Sequence, residues 1–209
     1  MCIIYGVDYK IISNSEEECF IEVIKNSFRT RIELDWTPEK DFSGVAVGCN
    51  YSFKGHPVGF LKDNGLVRGV IDGRRQRAVF CVEETDTIIQ AGPSLLIDEE
   101  PQKDFKAGGF ATHFILSGLH SHIGKKKNGN YIIGFTSKLT FNQMIEKYQS
   151  LQAEDAIKLP GLKYCSYIFQ SRMQTVKHGL FPIPVALIFE PRIKETGDLF
   201  NDITEPVML

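Results

Sequence analysis

A chain of 209 residues that is 43% hydrophobic and 24% charged, with fifteen Phe, has the apolar content of one large domain or two small ones and too much for a disordered polymer. Its 24 basic and 26 acidic residues leave a net charge of −2, which excludes the global positive field that extended nucleic acid or an anionic membrane surface would need. The five cysteines (Cys2, Cys19, Cys49, Cys81, Cys165) are odd in number, widely spaced and free of any C-x-x-C pair, so they read as reduced thiols of a cytoplasmic protein.

In chain order, Met1 to Gly6 has neither a positive leader nor an apolar stretch long enough for a signal peptide, and no later run approaches ~18 apolar residues. Export and membrane insertion are therefore not expected. Ser15 to Ile24 reads as a weak helix, although Phe20, Ile21, Val23 and Ile24 suit a strand about as well. Short strands are predicted at Val45–Val47, Leu66–Ile71, Ala78–Val82, Thr87–Ile89, His113–Leu116, Tyr131–Phe135, Tyr164–Phe169 and Val185–Phe189. Asp63-Asn64-Gly65, Asp72-Gly73 and Asn128-Gly129 are the tight turns between them, built from residues that tolerate positive φ.

One helix has a complete signature. Thr140 can cap it, Gln143 can close a capping box, and Phe141, Met144, Ile145, Tyr148 and Leu151 recur on one face. The residues after Arg192 read as a loosely attached tail over 193–209. With no repeat and no linker, residues 1–209 form a single domain. The expected class is α+β: a mixed or antiparallel sheet of many short strands with hairpins and one or two packed helices.

Val47-Gly48-Cys49-Asn50-Tyr51-Ser52-Phe53 followed by Gly55-His56-Pro57-Val58-Gly59 resembles a strand ending in Asn and an aromatic, then "G-x-P-x-G", in the phosphodiester glycosidase family, and it is the first of four segments, spread over roughly residues 40 to 190, that resemble that family in order and spacing. Gln90-Ala91-Gly92-Pro93-Ser94-Leu95-Leu96 is similar to its "A-G-P-x-L". His120-Ser121-His122-Ile123-Gly124 stands where the family has "R-T-A-I-G", with a histidine for the arginine. Ala156-Ile157-Lys158-Leu159-Pro160-Gly161-Leu162 takes the place of "A-x-N-L-D-G-G-G-S", without the aspartate and most of the glycines. The closing Gly179-Leu180-Phe181-Pro182-Ile183-Pro184 leads into an apolar run like the family's last strand.

The resemblance implies a glycosidase-like cleft that takes a sugar phosphodiester. Cleavage of that bond needs a group to neutralise the phosphate and a carboxylate or water on the far face, and here His120 and Pro160 occupy the two matched positions. Proline has no polar side chain, so the family's mechanism is not expected to run. The site residues drawn from this comparison are Asn50, Gly92, Pro93, Ser94, His120, Ser121, His122 and Lys125, which are expected to converge with the Leu159–Leu162 loop on one cleft; no catalytic residue is assigned.

Alternation along a strand would put His120 and His122 on one face, where two imidazoles can bind phosphate or act as acid and base; polar residues at a strand end are the plainer reading. No nearby carboxylate or thiol completes a zinc site, and neither metal nor cofactor is expected. The Lys125-Lys126-Lys127 run and the group Arg68, Arg74, Arg75 and Arg77 read either as solvated hairpin tips or as clamps on an anion. The expected partner is a small phosphorylated molecule, a nucleotide or a sugar phosphodiester, with no membrane and no extended nucleic acid, and the composition is compatible with an oligomer. Capture of a soluble nucleotide signal, as some viral or prophage proteins perform, would suit a scaffold with an emptied aspartate position. An active hydrolase with relocated residues (Asp155, Asp98 or Glu99) and a structural or interaction module are the alternatives.

Overall fold

Phe28 to Trp36 turns Phe28, Thr30 and Ile32 inward at alternate positions, and it folds as a nine-residue strand that pairs along its length with the apolar run Ile183–Pro191. The computed structural model describes residues 9–15, 17–49, 57–69, 78–102, 119–137, 139–161, 166–170, 175–179 and 181–192. Their strands are β1 (Tyr9–Asn14), β2 (Glu18–Val23), β3 (Phe28–Trp36), β4 (Gly44–Gly48), β5 (Leu61–Asp63), β6 (Leu66–Arg68), β7 (Ala78–Val82) and β8 (Thr87–Ala91). After these come β9 (Ser94–Ile97), β10 (Glu100–Pro101), β11 (His120–Lys126) and β12 (Tyr131–Thr136), then the helix α1 (Phe141–Ser150). The last four are β13 (Ala153–Gly161), β14 (Ser166–Gln170), β15 (Thr175–Gly179) and β16 (Ile183–Pro191).

They form three sheets. A seven-stranded sheet runs β1-β2-β12-β11-β13-β9-β10, a five-stranded sheet β15-β14-β4-β16-β3, and a four-stranded sheet β6-β5-β8-β7. Every pairing among the described strands is antiparallel. The main core lies where the sheets face one another, and an aromatic chain crosses all three: Phe28 and Phe189 of the five-stranded sheet meet Tyr131 of the seven-stranded sheet at 5.6 and 6.2 Å, and Phe80 of the four-stranded sheet meets Tyr131 at 6.1 Å. A second core fills the space between α1 and the seven-stranded sheet, with Phe20, Leu95, Ile132, Met144 and Tyr148. A third, smaller one lies on the outer face of the five-stranded sheet, where Trp36 packs against Phe42 beside Ile168 and Ile188.

The α+β expectation is overturned. Strand makes up 63% of the described residues and helix only 9%, in three antiparallel sheets, so this is a mostly β protein with one α-helix among the described residues. The weak helix predicted over Ser15 to Ile24 is strand β2, whose Phe20 faces α1 while Cys19 and Ile21 face the main core; burial on both sides explains its unbroken apolar run. The segment read as a loop at Leu159–Leu162 is, as far as Gly161, the end of the nine-residue strand β13.

Other local readings match. The capping box at Thr140 and Gln143 is present, and Phe141, Met144, Ile145 and Tyr148 are the buried face of α1. Asn64 and Gly65 both take positive φ in the β5–β6 turn, and Gly129 does so after Asn128 in the β11–β12 turn. The predicted strands at Val45–Val47, Ala78–Val82, Thr87–Ile89, Tyr131–Phe135 and Val185–Phe189 lie within β4, β7, β8, β12 and β16. The strand predicted at His113–Leu116, the Asp72-Gly73 turn, Arg74, Arg75, Arg77, Leu162 and the tail 193–209 lie outside the described residues.

Candidate functional site

Strand β11 carries the H-S-H motif, and its alternation divides the three residues between two faces. His120 and His122 point toward α1: the His120 ring stands edge-on to Phe141 at 5.6 Å, and His122 packs on Phe20 at 4.9 Å and Tyr148 at 5.4 Å. Ser121 shares the opposite face with Ile123, toward the main core. All three are fully buried.

Strand β13 brings a third basic group to the same place. Lys158 is the register partner of His122, and its side chain is only 3% exposed, with Nζ donating to the Leu159 carbonyl at 2.8 Å. Ile157 and Leu159 face the main core, so Lys158 lies on the α1 side with both histidines. Sequence reasoning missed it, because a lysine in a strand is ordinarily at the surface. The one available signal was its position inside the apolar run Ala156-Ile157-Lys158-Leu159.

The Gly92-Pro93-Ser94 turn adjoins this cluster. Its Gly92-Pro93 peptide is cis, the Pro93 carbonyl accepts a hydrogen bond from the Lys158 backbone N–H at 3.0 Å, and Ser94 pairs with Ile157. His120 in turn pairs with Gly161. The turn, the H-S-H motif and the Lys158–Gly161 stretch therefore stand on three adjacent strands at one end of the seven-stranded sheet. Asn50 lies outside the described residues; its neighbour Cys49 donates its backbone N–H to the Val185 carbonyl in the five-stranded sheet.

The electrostatics of His122 report what surrounds it. Burial first, then the nearby charge of His120 and Lys158, hold its proton affinity well below the ordinary imidazole value, so His122 is neutral at pH 7. Nδ1 lies 2.8 Å from the Tyr148 hydroxyl, and Nε2 has no hydrogen-bond partner among the described residues.

Lys125 does not join this cluster. It lies on the other face, where its Nζ is 2.7 Å from Glu83, in a cleft of about 340 Å³ lined also by Ser94, Cys81, Asp155 and Ile157. Glu83 and Asp155 both push the Cys81 thiol up, after burial, against one opposing influence from Lys125. That cleft has the wrong sign for a phosphate. The other lysines of the run are likewise engaged, Lys126 with Glu22 at 3.2 Å and Lys127 with Glu99, so the basic hairpin is held by carboxylates from three different elements. Among the described residues no three His, Cys, Asp or Glu side chains gather to hold a metal ion, and no helix is long and apolar enough to cross a membrane.

With this geometry in view, comparison with solved structures gives two informative matches. The chain is similar to the catalytic domain of zebrafish N-acetylglucosamine-1-phosphodiester alpha-N-acetylglucosaminidase, auto-inhibited by its pro-peptide, with a TM-score of 0.60 and 15% identity over 88% of this chain and 83% of that one. The likeness is one of fold. A hypothetical protein from Synechocystis matches with a TM-score of 0.58 and 11% identity over 88% of this chain, which spans 61% of that protein's chain. No family model matches, and no curated protein does. The distant relationship in fold agrees with the resemblance read from the four sequence segments, and at these identities it extends no further than the arrangement of the strands.

Proposed function

We propose that this chain binds a small phosphorylated molecule, a nucleotide or a sugar phosphodiester, at the end of the seven-stranded sheet where Pro93, His120 and Lys158 meet, and holds it with little or no turnover. The observation that carries this reading is the placing of three basic side chains, all buried, at adjoining positions of two neighbouring strands. A lysine and two imidazoles gathered on one face bring N–H donors together, the chemistry that an anionic guest takes. The fold likeness to a domain named for a sugar phosphodiester supports the ligand class. Pro160, at the position matched to the family's aspartate, has no carboxylate to offer, which supports sequestration over cleavage.

Mass spectrometry of the denatured protein should release a phosphorylated compound retained through purification, and calorimetry against sugar phosphates and linear and cyclic nucleotides should give saturable binding. Lys158→Met should weaken it by about 1.5–3 kcal/mol, the worth of a hydrogen bond to a charged group. Binding undiminished in that variant, or no binding to any phosphorylated compound, would overturn the proposal. Release of sugar from a model phosphodiester at an enzymatic rate would instead make the protein a hydrolase with relocated groups.

A further inference from the structure

The His122 and Tyr148 rings sit in a seat formed by two mid-strand glycines. A Cβ on Gly134 would stand 2.1 Å from His122 Cε1 and 2.5 Å from its Nδ1, and one on Gly124 would stand 2.5 Å from Tyr148 Cε1. Glycine inside a strand weakens it, so the sheet gives up stability at both positions to admit this pair.

The seat fixes more than position. Tyr148 keeps its proton, because burial pushes its ionisation well above the usual phenol range. Its single hydroxyl proton has two acceptors in reach, His122 Nδ1 at 2.8 Å and the Ile132 carbonyl at 3.5 Å, and the imidazole is the nearer of the two. A neutral imidazole that accepts at Nδ1 carries its proton on Nε2. That N–H is buried and meets no acceptor among the described residues, a state that buried donors rarely keep without a guest.

We propose that His122 is a neutral hydrogen-bond donor, its tautomer set by Tyr148, whose Nε2–H takes an oxygen atom of the bound phosphoryl group; this rests on the ligand class proposed above. The work is divided between two residues. Lys158 supplies charge and His122 supplies direction. Among the described residues, the titratable and charged groups packed around His122 are His120 on its own strand, Lys158 on β13, Tyr148 on α1, and the Lys147–Glu18 pair of α1 and β2 beyond Phe20. Burial first, and then the two basic neighbours, keep it neutral, so its contribution is a directed N–H and not a second cation.

Nitrogen NMR of the full chain labelled at histidine and lysine tests this without a ligand and then with inorganic phosphate. At pH 7 the His122 ring should be neutral with the proton on Nε2, and Tyr148→Phe should shift the tautomer balance. On adding phosphate, Nε2 should move with the same saturation as the Lys158 backbone amide. A ring protonated on Nδ1, or an imidazolium at pH 7, would overturn the inference, and so would phosphate that moves Lys158 while leaving Nε2 unchanged. No phosphate-induced shift anywhere would overturn the ligand class itself, which the tautomer measured beforehand keeps distinct. His122→Gln, which retains an N–H near the Nε2 position, should hold phosphate affinity within about threefold, whereas His122→Leu should lose about tenfold, near 1.4 kcal/mol. Equal losses in the two variants would mark His122 as packing alone and overturn the proposal.

Discussion

His122 carries a pH signature that follows from its burial. In the folded chain its proton affinity is pushed well below the ordinary value, first by desolvation and then by His120 and Lys158, whereas in the unfolded chain it titrates near pH ~6.5. Below ~6.5 the unfolded state therefore binds the additional proton, so the stability contributed by the neutral ring is complete above that pH and is lost as pH falls toward the folded value, by up to about 1.4 kcal/mol per pH unit. Urea midpoints should drop between pH 7 and pH 5 in the native chain and drop less in His122→Leu. A curve of equal slope in both would show that the ring does not set the acid limit. The motif that drew attention to this position was legible because two histidines at alternate positions of a strand share a face. What the face looked toward was not legible, since that depends on where α1 packs, and Lys158 stayed hidden for the same reason.

The helix is the element that the sequence specified most completely, because a capping box and a 3.6-residue stripe are local signals that need no tertiary partner. Thr140 accepts from the Gln143 backbone N–H at 3.3 Å and the Gln143 side chain accepts from the Thr140 backbone N–H at 2.9 Å. Thr140→Ala should cost about 1 kcal/mol, read as a lower urea midpoint with unchanged slope. Because α1 closes the face that holds His120, His122 and Lys158, that variant should also bring faster amide exchange at Phe141 and Met144. Strands were harder to read. The end of β13 reads as a loop in the sequence because Pro160-Gly161 is ordinarily turn chemistry, and Ser15 to Ile24 shows the ambiguity of short apolar runs, which burial on both faces resolves in favour of β2.

For the molecule as a whole, the sequence marks eight short strands where the described residues hold sixteen, and it does not show their division into three sheets, because sheet membership depends on pairings such as β4 with β14 and β16 that join residues far apart in the chain. The three sheets share one interior through Tyr131, which meets Phe28, Phe80 and Phe189. Tyr131→Ala should therefore cost about 3–5 kcal/mol, as deletion of a large buried ring does. A loss below about 1 kcal/mol by urea denaturation would show that the sheets are held together elsewhere.

That experiment comes with a reporter already in the chain. Trp36 is the only tryptophan, and it packs against Phe42 in the small cluster on the outer face of the five-stranded sheet, on the side away from the Tyr131 junction. Indole emission thus senses that outer layer, while the far-ultraviolet dichroism of the strands senses all three sheets together. If the two signals move at the same urea concentration, the outer cluster and the shared interior unfold as one unit; if emission changes first, the surface of the five-stranded sheet loosens while its inner face is still clasped to the other two.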